Sequence, residues 1–396
     1  MRYSAGIPQE NSPLLLRKVP PMTETDLAAS PQATAFAALL ESAATPHQLT
    51  LYRGVLTPQQ LDAPAEETVA LASEAAVHDL GWLRRVAVRG EDRFRWLSGM
   101  VTNTVEGLAD RAGAWNLVLN AQGRIQGDLT VWREGDTLEL EIAADQYERL
   151  LAHLERFIIM DDVELVPLTA DAALGLTGPA AADVLARVGL PVLPEAMTTT
   201  HVEWNGMDLR LVRDYGQLAA HYALWVPDAQ LSKLWKFLRT GGAALVGSAS
   251  LEAFRIAEGI PAYGIDIQSR DLAQETSQMR AISFTKGCYL GQEIVERIRS
   301  RGQVHRHLRA LELTAEPGAP LPAVGAELRI ATAVPDAKSA GALTSVTSVP
   351  IGGVQRVFAI AMIRAEAEVG HQPLQYPGGT ARILHTPPNL TPAQGQ

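Results

Sequence analysis

The region between Trp115 and Ala143 places the strongest constraint on the fold of this chain. It contains three runs, NLVLN, IQGDLTVW and TLELEIA, in which apolar and polar residues alternate, separated by the turns AQGR and EGD. Alternation with a period of two predicts strands with one buried face, and turns this short join antiparallel neighbours. Leucines at positions 150, 151 and 154 follow at helical spacing. The region therefore predicts an antiparallel sheet with a helix on one face.

Further strands and helices alternate as far as about residue 306. Residues 201–212 and 220–226 have strand patterns, and a helix begins near Ser248 or Ser250, either of which suits the N-cap. Antiparallel strands interrupted by helices of this length are typical of an α+β fold, with the helices on one face of each sheet.

The pattern changes again near residue 307. Short strands separated by proline and glycine turns follow, and they indicate a small barrel or sandwich. We therefore predict a domain of residues 46–306 and a C-terminal domain of residues 307–396. Residues 1–45 show little periodicity apart from a possible short helix near residues 36–40, and we predict a mobile extension there, with order beginning near Leu49.

Charge and hydropathy exclude several classes of protein. The formal net charge is −10, which argues against a general nucleic-acid coat protein because phosphate contacts need a clustered basic surface. No run approaches the roughly 18 apolar residues needed to span a bilayer, and the N-terminus lacks the apolar stretch of a signal peptide. We predict a cytoplasmic protein with no membrane partner and no direct nucleic-acid partner.

The chain has one cysteine, Cys288, among its 396 residues. One thiol excludes an internal disulfide and any metal site whose thiolates all come from this chain. The close pair His305 and His307 has no third ligand type nearby, so we predict surface polar residues there and no metal site.

The segment KGCYLGQE, residues 286–293, holds the densest cluster of unusual residues. Gly287 and Gly291 flank the thiol and permit backbone angles that other residues resist. A helix predicted from Gln292 to Arg299 would place Cys288 just before a helix N-terminus, with Lys286 two residues away, and both features favour a thiolate. The alternative is a small buried apolar residue. Arginines follow at positions 297, 299, 301, 306 and 309. They form either a solvated face of the protein or a site that binds an anion.

The run from Leu251 to Arg309 resembles the YgfZ-type folate-binding proteins, which are relatives of the glycine cleavage T protein, an aminomethyltransferase. KGCYLGQE is the signature that separates this branch from the T proteins. Weaker similarities are VHDLGWLRRVAVRGEDRFRWLSGMVTN, AQGRIQGDLTVW and RDYGQLAAHYALWVP. The resemblance covers about residues 50–390.

The resemblance implies a fold of two interwoven ferredoxin-like subdomains and a small C-terminal β-barrel around a channel that binds tetrahydrofolate. Trp82 falls at a tryptophan position implicated in folate contact, and Asp128 near the acid that faces the reacting folate nitrogen. Asp128 is alternatively a structural strand residue. Leu251 replaces a second aromatic residue, and Ala223 stands where T proteins have an acid. The implied folate contacts also include Tyr289, Gln292, Arg297 and Arg301.

The leading hypothesis from the resemblance is a folate-binding accessory protein for iron-sulfur cluster assembly or repair in client enzymes, including tRNA-modifying ones. Cys288, beside Lys286, would be the reactive group, and a client or carrier protein would supply the other cluster ligands. A second hypothesis is a tetrahydrofolate-dependent aminomethyltransferase or demethylase with Asp128 as the base. A third is a folate-binding module without chemistry.

Overall fold

The computed structural model describes residues 31–43, 45, 47–302, 304–331, 339–368 and 373–391. No helix in these ranges is long and apolar enough to cross a membrane. The α-helices of these ranges are α1 Ala35–Ser42, α2 Pro64–Ser73, α3 Arg93–Met100, α4 Ala144–Glu155, α5 Ala181–Arg187, α6 Leu231–Thr240, α7 Ser248–Glu258, α8 Gln292–Arg301 and α9 Ala365–Glu368.

Strands β1 to β13 precede residue 302, and strands β14 to β19 follow it. The first group is β1 Leu49–Tyr52, β2 Val55–Pro58, β3 Ala76–Asp79, β4 Leu83–Arg89, β5 Ala112–Leu119, β6 Ile125–Glu134, β7 Thr137–Ala143, β8 Glu164–Leu168, β9 Asp171–Thr177, β10 Thr198–Trp204, β11 Met207–Asp214, β12 His221–Pro227 and β13 Ala244–Leu245. The second group is β14 Arg306–Ala315, β15 Glu327–Ile330, β16 Ser339–Ile351, β17 Val354–Arg364, β18 Leu374–Tyr376 and β19 Gly379–Ile383.

Eleven strands form one sheet in the order β13-β3-β9-β12-β11-β10-β5-β6-β7-β4-β8. The predicted meander is confirmed, because β5, β6 and β7 pair antiparallel with Leu117 opposite Asp128 and Thr130 opposite Glu141. The other pairs are also antiparallel, except for the short parallel pair of β13 with β3. The α+β class is confirmed.

The large sheet curls so that distant strands pack against each other. Trp132 of β6 shares a buried cluster with Ala173 of β9 and Trp225 of β12, although three strands lie between β6 and β12 in the sheet order and four between β6 and β9. On the outer faces, leucines of α4 pack against β4, β6 and β7, and those of α6 pack against β9 and β12. One side of each half of the sheet therefore faces helices and the other side faces the interior.

The C-terminal strands close into a barrel in the order β14-β17-β16-β15-β18-β19, and pairing of β14 with β19 completes it. This arrangement confirms the barrel and excludes the sandwich that the sequence left open. The barrel strands begin at Arg306. Strand β18 has three residues, too few for its alternation to be recognised in the sequence.

Three details differ from the sequence predictions. The single strand predicted over 201–212 is a hairpin, since Asn205 and Gly206 both have positive φ (52° and 69°) and turn the chain between β10 and β11. Ser248 is not an N-cap but the first residue of α7, and its hydroxyl donates to the Pro58 carbonyl. Order also begins before Leu49, since α1 spans Ala35–Ser42.

Helix α1 lies inside the segment that the sequence assigns to a mobile extension. Thr34 caps it by accepting a hydrogen bond from the Ala37 N–H, and Phe36 and Leu40 are buried in the core beneath β9 and α6. Burial of these two side chains orders the segment. The apolar pattern of the sequence is too short here to predict that burial. The part of that prediction that concerns residues 1–30 lies outside the described residues.

Candidate functional site

A cavity of about 180 Å³ opens where the meander meets the segments before and after α7. Its walls come from β6, β7 and α4 on one side and from the chain after β11 on the other. Residues that line it include Tyr52, Trp82, Trp115, Asp128, Glu141, Gln146, Asp214, Tyr215, Arg255 and Arg280. A cavity lined by aromatic rings and a few polar groups is the usual form of a small-molecule site.

Asp128 is the best-positioned carboxylate of this cavity. The Trp115 indole Nε1 donates to its Oδ2 at 3.1 Å, and the Gln146 Nε2 donates to its Oδ1 at 2.6 Å. The Asp128 backbone N–H donates to Gln146 Oε1 at 3.1 Å, so α4 holds both ends of the residue. Two strands and a helix thus fix the carboxylate, which suits recognition of a ligand with paired donors.

Trp82 forms part of the aromatic wall. Its ring meets that of Tyr52 edge-on at a centroid distance of 5.8 Å, and the Arg53 guanidinium lies 5.9 Å from the Trp82 centroid. The Trp82 Nε1 atom is buried and has no hydrogen-bond partner among the described residues. Trp82 therefore contributes an apolar ring to the wall, and its N–H is a buried donor without a protein partner in the described ranges.

Glu141 is a cavity residue that the sequence analysis missed. It is only 7% exposed, and its Oε2 atom has no hydrogen-bond partner within the described ranges. Burial raises the pKa of this carboxyl to about 7, and the negative charge of Asp214 adds to the rise against the opposing charges of Arg210 and Arg85. The cavity therefore contains an acid that can hold a proton near neutral pH.

The sequence pattern around Glu141 predicts a solvent-facing side chain, whereas the structure buries it. In β7, Glu139 and Glu141 alternate with leucines, a pattern that ordinarily marks a solvent-facing side. Because the sheet curls, that side is interior, where Arg85 bonds Glu139 at 2.7 Å and Arg210 approaches Glu139 at 3.3 Å. Ion pairs between strands neutralise the charge of Glu139 on this face. Glu141 lies on the same face, where it lines the cavity.

Trp115, Gln146, Tyr215 and Arg280 are further cavity residues that the sequence analysis missed. Trp115 and Gln146 hold Asp128, while the rings of Trp115 and Tyr215 enclose the Arg280 guanidinium at centroid distances of 4.3 and 3.9 Å. These residues come from β5, α4 and two loops. No local pattern connects them, because only the fold brings them together.

The KGCYLGQE segment lies against the C-terminal end of α3 and the β5–β6 turn. The Lys286 Nζ donates to the carbonyl oxygens of Ser98 and Val101, both at 2.6 Å, and burial lowers its pKa to about 8. The Leu290 N–H donates to the Gly99 carbonyl at 2.9 Å. The lysine therefore bonds backbone carbonyls at the C-terminal end of α3, in addition to its position near Cys288 in the sequence.

The structure separates this segment from the cavity. Of the eight predicted site residues, Trp82 and Asp128 line the cavity, and the other six do not: Cys288, Lys286, Tyr289, Gln292, Arg297 and Arg301. Cys288 is exposed, so it is not the small buried residue considered as an alternative.

Tyr289 and Gln292 have structural contacts, whereas Arg297 and Arg301 face solvent. Tyr289 is buried, with the Lys286 ammonium 5.0 Å from its ring centroid, and burial raises its pKa to about 12. Its backbone N–H donates to Gln292 Oε1 at 3.3 Å. Arg297 and Arg301 are exposed on α8.

The predicted arginine stripe does not persist as one surface. Arg306 binds Asp271 and Glu275, each at 2.9 Å, and Arg309 binds Glu368 at 2.8 Å. These two arginines therefore fasten the first barrel strand to its neighbours. Only the arginines of α8 remain as an exposed group.

Comparisons with known proteins agree with this architecture. A family model described as the GCVT N-terminal domain matches residues 38–286, more than half of the chain. An aminomethyltransferase of Rubrobacter xylanophilus is 28% identical over 342 residues, 83% of this chain and 86% of the relative. A tRNA-modifying protein YgfZ of Yersinia enterocolitica is 28% identical over 245 residues, 61% of this chain and 72% of the relative.

A solved structure, the glycine cleavage system aminomethyltransferase T from Bartonella henselae, superposes with a TM-score of 0.80 at 18% identity, covering 92% of this chain and 100% of that one. At this identity the likeness establishes the fold. The chain belongs to the GCVT N-terminal domain family, as a YgfZ-type member of the aminomethyltransferase superfamily.

Proposed function

We propose that this protein binds tetrahydrofolate in the cavity and supports iron-sulfur cluster assembly or repair in client enzymes, including tRNA-modifying ones, through Cys288. The observation that carries the folate part is the fixed Asp128 carboxylate facing a cavity walled by Trp82 and Trp115. The similarity to a tRNA-modifying protein YgfZ supports the choice of clients.

The chemistry of the cavity fits a reduced pterin. The pterin ring presents an amino group and an adjacent ring N–H, a donor pair that a carboxylate accepts with both oxygens. The aromatic side chains that line the cavity, Trp82 among them, supply flat apolar contact. At about 180 Å³ the cavity is smaller than the roughly 300 to 1,000 Å³ of drug-sized sites, so the ring enters and the rest of folate extends outward.

Exposure of Cys288 supports a role toward a second protein. One thiolate does not hold an iron-sulfur cluster, because such clusters use several cysteine ligands. An exposed thiol outside the folate cavity is accessible to a client or carrier that contributes the remaining ligands. Folate binding and thiol chemistry are then separable functions of one chain.

The test uses Asp128→Asn and Cys288→Ser in parallel, with Asp183→Asn on the exposed first turn of α5 as the control. Calorimetric titration with tetrahydrofolate should give a Kd at least about tenfold higher for Asp128→Asn, since a charge-assisted hydrogen bond is lost. Cys288→Ser should bind folate normally yet fail to complement a strain that lacks its own homologue. Full rescue by the serine variant would refute the thiol role, and unchanged binding by Asp128→Asn would refute the folate site.

A second candidate function is folate-dependent aminomethyl transfer or demethylation with Asp128 as the base. The presence of three carboxyls, Asp128, Glu141 and Asp214, in one cavity favours it, and an aminomethyltransferase of Rubrobacter xylanophilus is a relative. The same protein samples decide this point. Transfer of the methylene carbon of an aminomethyl thioether to tetrahydrofolate, with 5,10-methylenetetrahydrofolate formed and ammonia and the thiol released, would establish the transferase if Asp128→Asn abolished it and Cys288→Ser retained it. Absence of turnover in the wild type would exclude the transferase for that donor.

A further inference from the structure

Arg280 occupies an unusual position in the cavity wall. It lies in a short 3₁₀ turn, Met279–Ala281, and its guanidinium carbon is 4.3 Å from the Trp115 ring centroid and 3.9 Å from that of Tyr215. Contact with two aromatic rings holds the planar group in place through cation–π attraction. The ring faces accept no conventional hydrogen bond, so they do not occupy the N–H donors of the guanidinium.

The guanidinium also lacks a close carboxylate. Burial lowers the pKa of Arg280, and Asp214 and Asp128 oppose that effect from a distance, but no carboxylate oxygen among the described residues lies within 4.0 Å. Among the described residues, the one side chain that accepts a hydrogen bond from Arg280 is Gln278, whose Oε1 accepts from Nε at 3.4 Å. A partly buried cation without an ion pair is costly to maintain, since desolvation is not compensated.

The other two arginines of the same cavity are different. Arg53 pairs with Asp145 at 3.2 Å, and Arg255 pairs with Glu252 at 2.6 Å and Asp266 at 2.8 Å. Those pairs account for their charges within the protein. Arg280 is therefore the arginine of this cavity whose charge remains available to a ligand.

We propose that Arg280 binds a carboxylate of the ligand, namely the glutamate tail of folate where it extends out of the pterin cavity. This inference rests on the folate binding proposed above and names the group that the cavity recognises beyond the ring. A guanidinium offers two parallel N–H donors to a carboxylate, and the flanking rings orient that fork before the ligand arrives. The contact to the glutamate tail is thereby assigned to Arg280. Arg297 and Arg301 of α8 are exposed and do not line the cavity.

The test compares three probes by calorimetry: tetrahydrofolate, 6-methyltetrahydropterin, which lacks the tail, and 4-aminobenzoyl-L-glutamate, which lacks the pterin. Arg280→Met should raise the Kd for tetrahydrofolate about 10- to 100-fold, because charge-assisted hydrogen bonds are lost, and should leave the tetrahydropterin Kd unchanged. The control is Arg299→Met, which removes an arginine stacked on Phe284 at 4.4 Å outside the cavity. It should change none of the three affinities.

Equal weakening of tetrahydrofolate and tetrahydropterin would overturn the proposal, as would no weakening of either. Should Arg280→Met fail to fold, Arg280→Lys decides the matter, since it keeps the charge but loses the fork: tetrahydrofolate alone should bind more weakly. If the wild type binds neither pterin compound, the folate proposal fails by itself. In that case the binding of 4-aminobenzoyl-L-glutamate tests Arg280 separately. If the wild type binds this probe and Arg280→Met does not, Arg280 binds the glutamate carboxylate. If the wild type does not bind it, or both bind it equally, the role of Arg280 is refuted.

Discussion

Glu141 is a carboxyl group whose protonation the fold ties to stability. Its ordinary pKa is 4.5, and burial raises the pKa to about 7 in the folded protein. Between these pH values the folded state keeps a proton that the unfolded state has released, so the free energy of unfolding falls as the pH rises. The difference between the two pKa values corresponds to a decrease of about 3 kcal/mol in the free energy of unfolding, and this decrease is complete only above pH 7.

Glu141→Gln should therefore stabilise the protein at high pH. The amide has nearly the same shape and no charge to desolvate, so its advantage over the wild type should grow from pH 5 to pH 8 by about 2 to 3 kcal/mol. Urea unfolding at the two pH values measures it. A pH-independent difference between variant and wild type would show that the Glu141 carboxyl is already ionised in the fold.

At the scale of elements, the KGCYLGQE segment depends on the fit of one glycine. Gly291, which precedes α8, has φ of 82°, and a Cβ atom there would lie 2.6 Å from the Asn120 carbonyl oxygen. Gly287, the other glycine flanking Cys288, has no positive φ, and its Cβ would meet no atom within 4 Å. The sequence suggested the same freedom for both glycines, but only one of them uses it.

Gly291→Ala should lower the free energy of unfolding by about 1 to 3 kcal/mol, because it adds a left-handed penalty to a backbone clash. Gly287→Ala is the matched control and should be neutral or stabilising by up to about 1 kcal/mol. Urea midpoints, together with the rate of Cys288 alkylation, measure both effects. Equal destabilisation by the two substitutions would mean that the segment is not held against the β5–β6 turn.

For the whole molecule, Asp266 joins the barrel to the rest of the fold. Its buried carboxylate accepts from Arg255 of α7 at 2.8 Å and from Thr344 and Ser345 of β16 at 2.6 and 2.7 Å. Because Arg255 also lines the cavity, this junction couples the barrel to the site.

Asp266→Ala should destabilise the protein by about 3 kcal/mol, since it removes one of the two carboxylates that pair with the buried Arg255 and the acceptor of the Ser345 hydroxyl. Folate affinity should fall in the same variant. Glu327→Ala removes a barrel carboxylate whose pair with Arg329 is exposed, and it should leave the urea midpoint unchanged. A folate Kd unaffected by Asp266→Ala would show that the cavity does not depend on the junction.

The sequence by itself determined most of the helices and strands, the meander of β5 to β7, the barrel region and the KGCYLGQE segment, because periodicity, turn residues and a short motif are local properties. It also identified Trp82 and Asp128, through family resemblance. Only the tertiary structure decided that Cys288 lies outside the cavity and that Glu141 and Arg280 line it. The curl of the sheet turns polar strand faces inward and brings together side chains far apart in the chain, and no local pattern records that curvature.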